Sequence, residues 1–204
     1  MSETTKKGKS LRSGYRESGH PKVPAEWYVE DLQASRDLFA AEPLQGTIYD
    51  PACGQGNILK SANAAGLFAE GSDIAFRGVD RAQRFDFLSG AATLPMAHHV
   101  VSNPPFTVTE RFVDMALACY PGKVCMFQRL KWAEGLNEGV RADWFRRTGL
   151  SHIWVHGRRV SLAPNGKPLK IKRDGTPQGG SEAFAWFVWR RTPVGHTPTV
   201  GWLP

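Results

Sequence analysis

Cysteine is scarce in this chain. Three residues in 204, Cys53, Cys119 and Cys125, form neither a CxxC pair nor a zinc-ligand spacing. This argues against a disulfide scaffold or a structural metal, so no metal is expected. Cys53 reads as a reduced packing residue, because no histidine or general base accompanies it. Long apolar runs are also missing. No stretch of about 18 apolar residues occurs, and the basic N-terminus carries no apolar signal core. Both absences argue against membrane insertion and secretion, and a cytoplasmic protein is expected. Repeats are absent as well. Charge is not: 26 Lys and Arg against 19 Asp and Glu leave a net +7. That balance suits a polyanionic partner such as nucleic acid, and suits a generic basic surface equally. With 41% hydrophobic residues, the chain has enough for one core and one domain.

Residues 1–24 are polar and rich in Ser, Gly and Lys, and read as a flexible basic tail. Residues 25–192 read as one domain, and 193–204 as a C-terminal tail. Within the domain, helical periodicity runs through Leu32, Leu38 and Phe39 and stops before Pro43. Buried strands are expected at Thr47–Tyr49, Ala97–Ser102, Lys123–Phe127, Ile153–His156 and Ala183–Trp189. His98 and His99 lie in the second of these without a carboxylate or cysteine at ligand spacing, again against a metal. Phe112, Met115, Ala116 and Cys119 give one buried helix face, with Thr107 or Thr109 available as its cap. The stretch 158–180 is a Gly/Pro/basic loop holding Arg159, Lys167, Lys170, Lys172 and Arg173. A long loop of this kind is where phosphate contacts are expected.

Two motifs carry chemistry. In Ile48-Tyr49-Asp50-Pro51-Ala52-Cys53-Gly54-Gln55-Gly56-Asn57-Ile58-Leu59 a strand runs into a glycine turn and a helix, with Asn57 placed to cap it. The dinucleotide fingerprint needs a third glycine, and a phosphate-cradling loop needs Gly-Lys-Ser/Thr; neither is present. The second motif, Asn103-Pro104-Pro105-Phe106, ends the run His99-Val100-Val101-Ser102. A planar exocyclic amine is a poor nucleophile because its lone pair is delocalised into the ring. An Asn side-chain carbonyl and a neighbouring backbone carbonyl, on a loop stiffened by Pro104 and Pro105, can accept both of its hydrogens. Phe106 offers a face on which a base can stack.

These motifs resemble the S-adenosylmethionine-dependent DNA adenine-N6 methyltransferases, especially small phage-type ones. That family's cofactor loop is Asp/Glu-Pro-x-x-Gly-x-Gly, and its catalytic loop is Asn/Asp/Ser-Pro-Pro-Tyr/Phe/Trp. The resemblance implies an α/β, Rossmann-like class I methyltransferase fold: a seven-stranded, mostly parallel sheet with helices on both faces and a late antiparallel pair. It implies S-adenosylmethionine as cofactor and DNA as partner. Asp50, Pro51, Ala52, Cys53, Gly54, Gly56, Asn57 and Asn103 would surround the cofactor. Trp27 and Tyr28 match the aromatic segment over its methionine end, and serve equally as core aromatics. Asp73, with Ile74 beside it, would take the ribose hydroxyls, with Asp80 as rival. Asp86 would take the adenine amine, with Phe87 or Leu88 against the ring; a surface turn acid is the competing reading for Asp86. Arg129 and Trp132 would border the target base, and Arg159, Lys170, Lys172 and Arg173 would touch DNA. Asn-Pro-Pro-Phe loops also serve enzymes acting on RNA bases or on protein glutamine, and a non-catalytic nucleic-acid-binding module is the reading from another class. The order of the two motifs leaves no space between them for a recognition domain.

Overall fold

The structure is a computed structural model that describes residues 27–90, 94–134, 139–167, 171, 173, 175, 182–191, 193 and 195–204. The first described segment forms a short strand, β1 (Tyr28–Val29), and the helix α1 (Leu32–Ala41). Alternation of strand and helix follows: β2 (Thr47–Asp50), α2 (Asn57–Ala64), β3 (Phe68–Asp73), β4 (Ala82–Arg84), β5 (His99–Ser102), α3 (Thr109–Cys119) and β6 (Val124–Arg129). The last elements are α4 (Val140–Thr148), β7 (His152–His156), β8 (Ala163–Pro164), β9 (Phe184–Trp189) and β10 (Thr199–Leu203).

Eight strands make one sheet in the order β10-β7-β9-β6-β5-β2-β3-β4. All neighbours run parallel except β9, which is antiparallel to both β6 and β7. The expected seven strands and the late antiparallel pair are therefore present. The eighth, β10, lies in the stretch expected as a tail and pairs parallel with β7 from Thr199↔His152 to Leu203↔His156. Its edge position explains why the sequence reading passed over it: Val200 and Trp202 are exposed, so no buried apolar run marks it. A separate two-stranded ribbon joins β1 to β8.

The central strands are buried on both faces, so they read as continuous apolar runs. Tyr49, Val100, Met126, Phe187 and Trp189 pack with α3 and α4 on one side. Ile48, Val101, Cys125, Phe127 and Trp186 pack with α1 and α2 on the other. Successive residues along each strand divide between the two layers, as the two-residue period demands.

A buried carboxylate ties the far end of the sheet together. Glu42, just past α1, accepts from Lys123 Nζ (2.8 Å), Arg190 Nη2 (2.6 Å) and Trp154 Nε1 (3.0 Å). Burial alone would raise its pKa, but the hydrogen bonds from Arg190, Lys123 and Trp154 outweigh it and hold the group at about 2. The folded pKa lies below the unfolded value of 4.5. The stabilisation is therefore complete above pH 4.5 and lost as the pH falls toward 2. Urea unfolding across that window should show stability dropping with acid in the wild type and a flatter profile in Glu42→Gln. At neutral pH the variant should be less stable by about 2–3 kcal/mol, below the figure for a fully buried pair because Arg190 and Lys123 are partly solvated.

Candidate active site

The strand order reverses between β2 and β5. From β2 the chain steps outward through β3 and β4, and from β5 it steps the other way through β6. In an open parallel sheet the carboxyl edge at such a reversal is where a ligand crevice forms. The glycine turn leaves β2 there, and the Asn103 loop leaves β5 beside it.

In the glycine turn, Gly54 and Gly56 have φ of +50° and +75°. A Cβ on Gly56 would come within 2.7 Å of Val79 Cγ1. Gly54 N–H donates to Asp73 Oδ2 (3.1 Å), and Ala75 N–H donates to Asp73 Oδ1 (2.9 Å), so the acid at the end of β3 holds the turn and keeps a lone pair on each oxygen. Asp50 Oδ1 accepts from Ser102 Oγ (2.7 Å) and Ala52 N–H (3.1 Å), while its Oδ2 is buried without a hydrogen bond among the described residues. Burial pushes the Asp50 carboxyl well up; the charges of Glu30 and Asp73 add to the rise, and the bonds from Ser102 and Ala52 oppose it. Burial also pushes up the Cys53 thiol, leaving it a packing group as expected.

Asn57 is the first helical residue rather than the cap. Gly56, in the left-handed region, precedes α2 without a side-chain cap, and Asn57 Nδ2 donates to the Glu30 carbonyl at 2.8 Å. That bond fastens the segment Trp27–Asp31 across the mouth of the site. Four further contacts hold this strap. β1 pairs with β8, Asn165 N–H donates to the Trp27 carbonyl (3.0 Å), Asp31 caps α1 through Ala34 N–H (2.7 Å), and Arg158 grips Asp31 with two bonds of 2.9 and 3.0 Å. Arg158, at the head of the basic loop, is thus committed to the strap. Over the face of Trp27 lies the Arg77 guanidinium, 3.6 Å from the ring centroid, with Nε 3.5 Å from Asp73 Oδ1.

Asn103 projects from the end of β5 into this strap. Its Nδ2 donates one hydrogen to the Tyr28 carbonyl and one to Glu30 Oε2, each at 2.8 Å. Glu30 is 6% exposed. Burial raises its pKa, and its own backbone N–H and the Asn103 amide draw it back. The Pro105 carbonyl accepts from Val108 N–H (3.1 Å) and the Thr109 hydroxyl (3.2 Å). That accounts for Thr109, which bonds backward instead of capping; α3 has no side-chain cap, and Val108 stands at that position. The Phe106 ring lies parallel to Tyr28 (centroids 6.4 Å apart), tilts against Phe184 (6.2 Å), and has the Arg129 guanidinium 4.9 Å above it.

The structure brings most of the predicted cofactor residues to one cavity. Tyr28, Pro51, Ala52, Cys53, Gly54, Asp73, Ile74, Phe87, Asn103 and Pro105 line it. Pro104 and Phe106 are their neighbours in the loop, and Asp50, Gly56 and Asn57 brace its wall. Glu30, Gln55 and Arg77 also line it and were missed, because an isolated charged or amide residue in sequence carries no sign of what it will face. One expectation is corrected. Trp132 is a core residue, buried among Trp144, Phe145, Phe187 and Trp189, because a side chain of that size after β6 finds the α3–α4 layer before any cavity. Asp86 is exposed and accepts from Leu88 N–H (2.9 Å), so it caps its own turn; the apolar residue after it, Phe87, is the one that turns inward. Arg159 and Arg173 are exposed, while Lys170 and Lys172 lie outside the described residues. Among the described residues no group of three or more His, Cys, Asp or Glu could hold a metal, and no helix is long and apolar enough to cross a membrane.

No protein-family model and no curated protein matches the chain. Among solved structures it is similar to a candidate hemolysin from Lactococcus lactis at 11% identity and a TM-score of 0.52, over 83% of this chain and 92% of that one. It is also similar to a TehB-like SAM-dependent methyltransferase from Corynebacterium glutamicum (18% identity, TM-score 0.44, 76% of this chain and 85% of that one). A third likeness is to a magnesium protoporphyrin IX methyltransferase from Synechocystis PCC 6803 with bound SAM (14%, 0.45, 77% and 76%). At these identities the likeness is one of fold. With the strand order and the reversed β9, the likeness to the first of these structures gives the chain an α/β, Rossmann-like architecture with a mostly parallel sheet.

Replacing Gly56 by Ala should lower stability by about 2–3 kcal/mol, part from the left-handed φ and part from the clash with Val79. Chemical denaturation of Gly56→Ala, Val79→Ala and the double variant separates the two. A coupling of about 1 kcal/mol between the sites is expected, and strict additivity would show that the clash is absent.

Proposed function

We propose that this chain is an S-adenosylmethionine-dependent methyltransferase acting on the exocyclic N6 of an adenine in DNA, with the base turned out of its stack toward Asn103. The residues fit the cofactor. The turn at Gly54 and Gly56 has no room for side chains, so backbone can approach a ligand closely. The Asp73 oxygens keep lone pairs for ribose hydroxyls, and Ile74 and Phe87 supply apolar walls. Trp27 Nε1 and Arg77 Nε are buried donors without hydrogen-bond partners among the described residues, on the same cavity wall. When bound, S-adenosylmethionine supplies a methyl group on a positively charged sulfonium.

The observation that carries the acceptor is the state of Asn103. Both of its amide hydrogens are used on Tyr28 and Glu30, so Oδ1 is what the side chain has left to offer, and Oδ1 can only accept. An acceptor held in place beside a cofactor pocket suits an amine that must surrender conjugation. Val108 and Thr109 occupy the Pro105 carbonyl, which leaves the second amine hydrogen to Pro104. Together the two acceptors stabilise the positive charge that builds on the amine nitrogen. Phe106 and Arg129 supply a flat, cationic surface that suits a stacked base. The net charge of +7 and the exposed Arg159 and Arg173 favour a nucleic acid over a protein acceptor. Turning the base out costs a few kcal/mol, least in single strands.

Incubation with DNA, RNA and protein, followed by mass spectrometry of nucleosides and residues, should reveal N6-methyladenine in DNA. A methylated RNA base or glutamine would replace the acceptor, and no transfer to any of them would remove the methyltransferase reading. Asn103→Ala should reduce transfer by at least about 10²-fold while calorimetry still detects cofactor binding. The same variant removes the Asn103 hydrogen bond from the buried Glu30 and should lose about 1–3 kcal/mol of stability.

A further inference from the structure

We propose that Glu30 is a positioning residue that sets which end of the Asn103 amide faces the target amine, an inference that rests on the methyltransferase reading above. A primary amide is nearly symmetric in shape, with oxygen and nitrogen interchangeable by a half turn about its last bond. Only one of the two orientations presents an acceptor. The environment decides which, and two groups form it here: the Tyr28 carbonyl and the Glu30 carboxylate, each 2.8 Å from Nδ2.

A backbone carbonyl cannot donate, and neither can an ionised carboxylate. With Glu30 ionised, as its acceptance of the Asn103 hydrogen and its backbone bond favour, the flipped amide would set Oδ1 against two acceptors; the Tyr28 carbonyl opposes the flip in either protonation state. With both partners present the preference is strong and the side chain has no remaining torsional freedom. With Tyr28 alone, one hydrogen stays unpaired and the amide can pivot about the single bond it keeps. Glu30 is itself immobile. Its main-chain carbonyl is held by Asn57 at the start of α2, and the next residue, Asp31, is clamped by Arg158 and by Ala34 N–H. The acid is therefore fixed by the helix that follows the glycine turn, and through it the cofactor side of the pocket sets the orientation of the acceptor side.

The test compares Glu30→Leu, Glu30→Gln and wild type. Leu removes the acceptor at similar volume; Gln keeps one carbonyl oxygen that can take the same hydrogen. Glu30→Leu should lower kcat on the order of 10²-fold, the scale of a displaced reacting group, with the KM for DNA within about twofold. Glu30→Gln should recover kcat to within about threefold of wild type. A Leu variant with wild-type kcat, or a Gln variant as impaired as Leu, overturns the proposal. Should Glu30→Leu fail to fold, the side-chain amide of Asn103 in the wild type and Glu30→Gln decides. Nitrogen-15 NMR should show Nδ2 protons that exchange slowly with solvent in both, and rapid solvent exchange of both in the wild type overturns the proposal. This readout needs no substrate, so it stands apart from any failure to detect N6-methyladenine.

Discussion

The site depends on one buried hydrogen-bonded junction, where Asn57 at the start of α2 and Asn103 in the loop after β5 reach the same residue of the Trp27–Asp31 strap. Asn57 holds the Glu30 main chain and Asn103 holds its carboxylate. A buried acid without a donor would be expensive, whereas a charge-assisted hydrogen bond contributes about 1.5–3 kcal/mol. The chain therefore gains most when both loops and the strap sit together. The reversal of strand order brings the loops after β2 and β5 to the same edge, and the junction then locks their relative position. Neither loop has a regular element of its own to do this. The prolines stiffen the second loop, but stiffness does not set position.

The junction also shapes the field of the cavity. Glu30 and Asp50 are both buried, burial raises the pKa of each, and the charges of Glu30 and Asp73 add to the rise at Asp50. This acid-lined pocket sits in a chain of net charge +7. The two fields serve different ligands. A basic exterior attracts a polyanion over long range, screened by salt. The interior acids act at contact distance, where the dielectric is low, and favour a cation. A cofactor bearing a sulfonium and a partner bearing phosphates match these two zones in that order, and neither would suit the other's place.

Sequence reasoning reached what local pattern encodes. Strand, glycine turn and helix after Tyr49 were legible because the apolar run and paired glycines leave few alternatives. The loop at Asn103 was legible because it ends a buried strand. What long-range packing decides stayed hidden. Asn57 looked like a cap, since its type and place fit one, but Glu30 lies 27 residues away in sequence and draws the side chain off. Trp132 sits beside Arg129 in the chain, yet a half-turn past the strand end sends one into the α3–α4 core and leaves the other over Phe106. β10 was missed because an edge strand with one solvated face has too few buried positions to show a period. Glu30 itself was invisible for the plainest reason: a single acid next to another acid reads as surface.

The magnitudes also decide which part of the site yields when a ligand enters. The cavity is about 60 Å³, below the ~300 Å³ or more of a typical small-molecule site, so how firmly each part of its wall is held matters. The strap is held by two side-chain amides, a two-bonded arginine and a paired ribbon. Displacing it would break several bonds, each worth about 1 kcal/mol or more. Arg77 is held by far less: a stacking contact on Trp27 worth about 0.5–2 kcal/mol and a 3.5 Å approach to Asp73 worth under about 1 kcal/mol. Its Nε has no hydrogen bond to lose among the described residues. Arg77 is therefore the least firmly held part of the wall, while the strap, and with it the Asn103 amide, is the most firmly held. Arg77 covers the face of Trp27 and stands beside Asp73 at once, so a flat ring and a carboxylate lie side by side beneath one weakly held side chain.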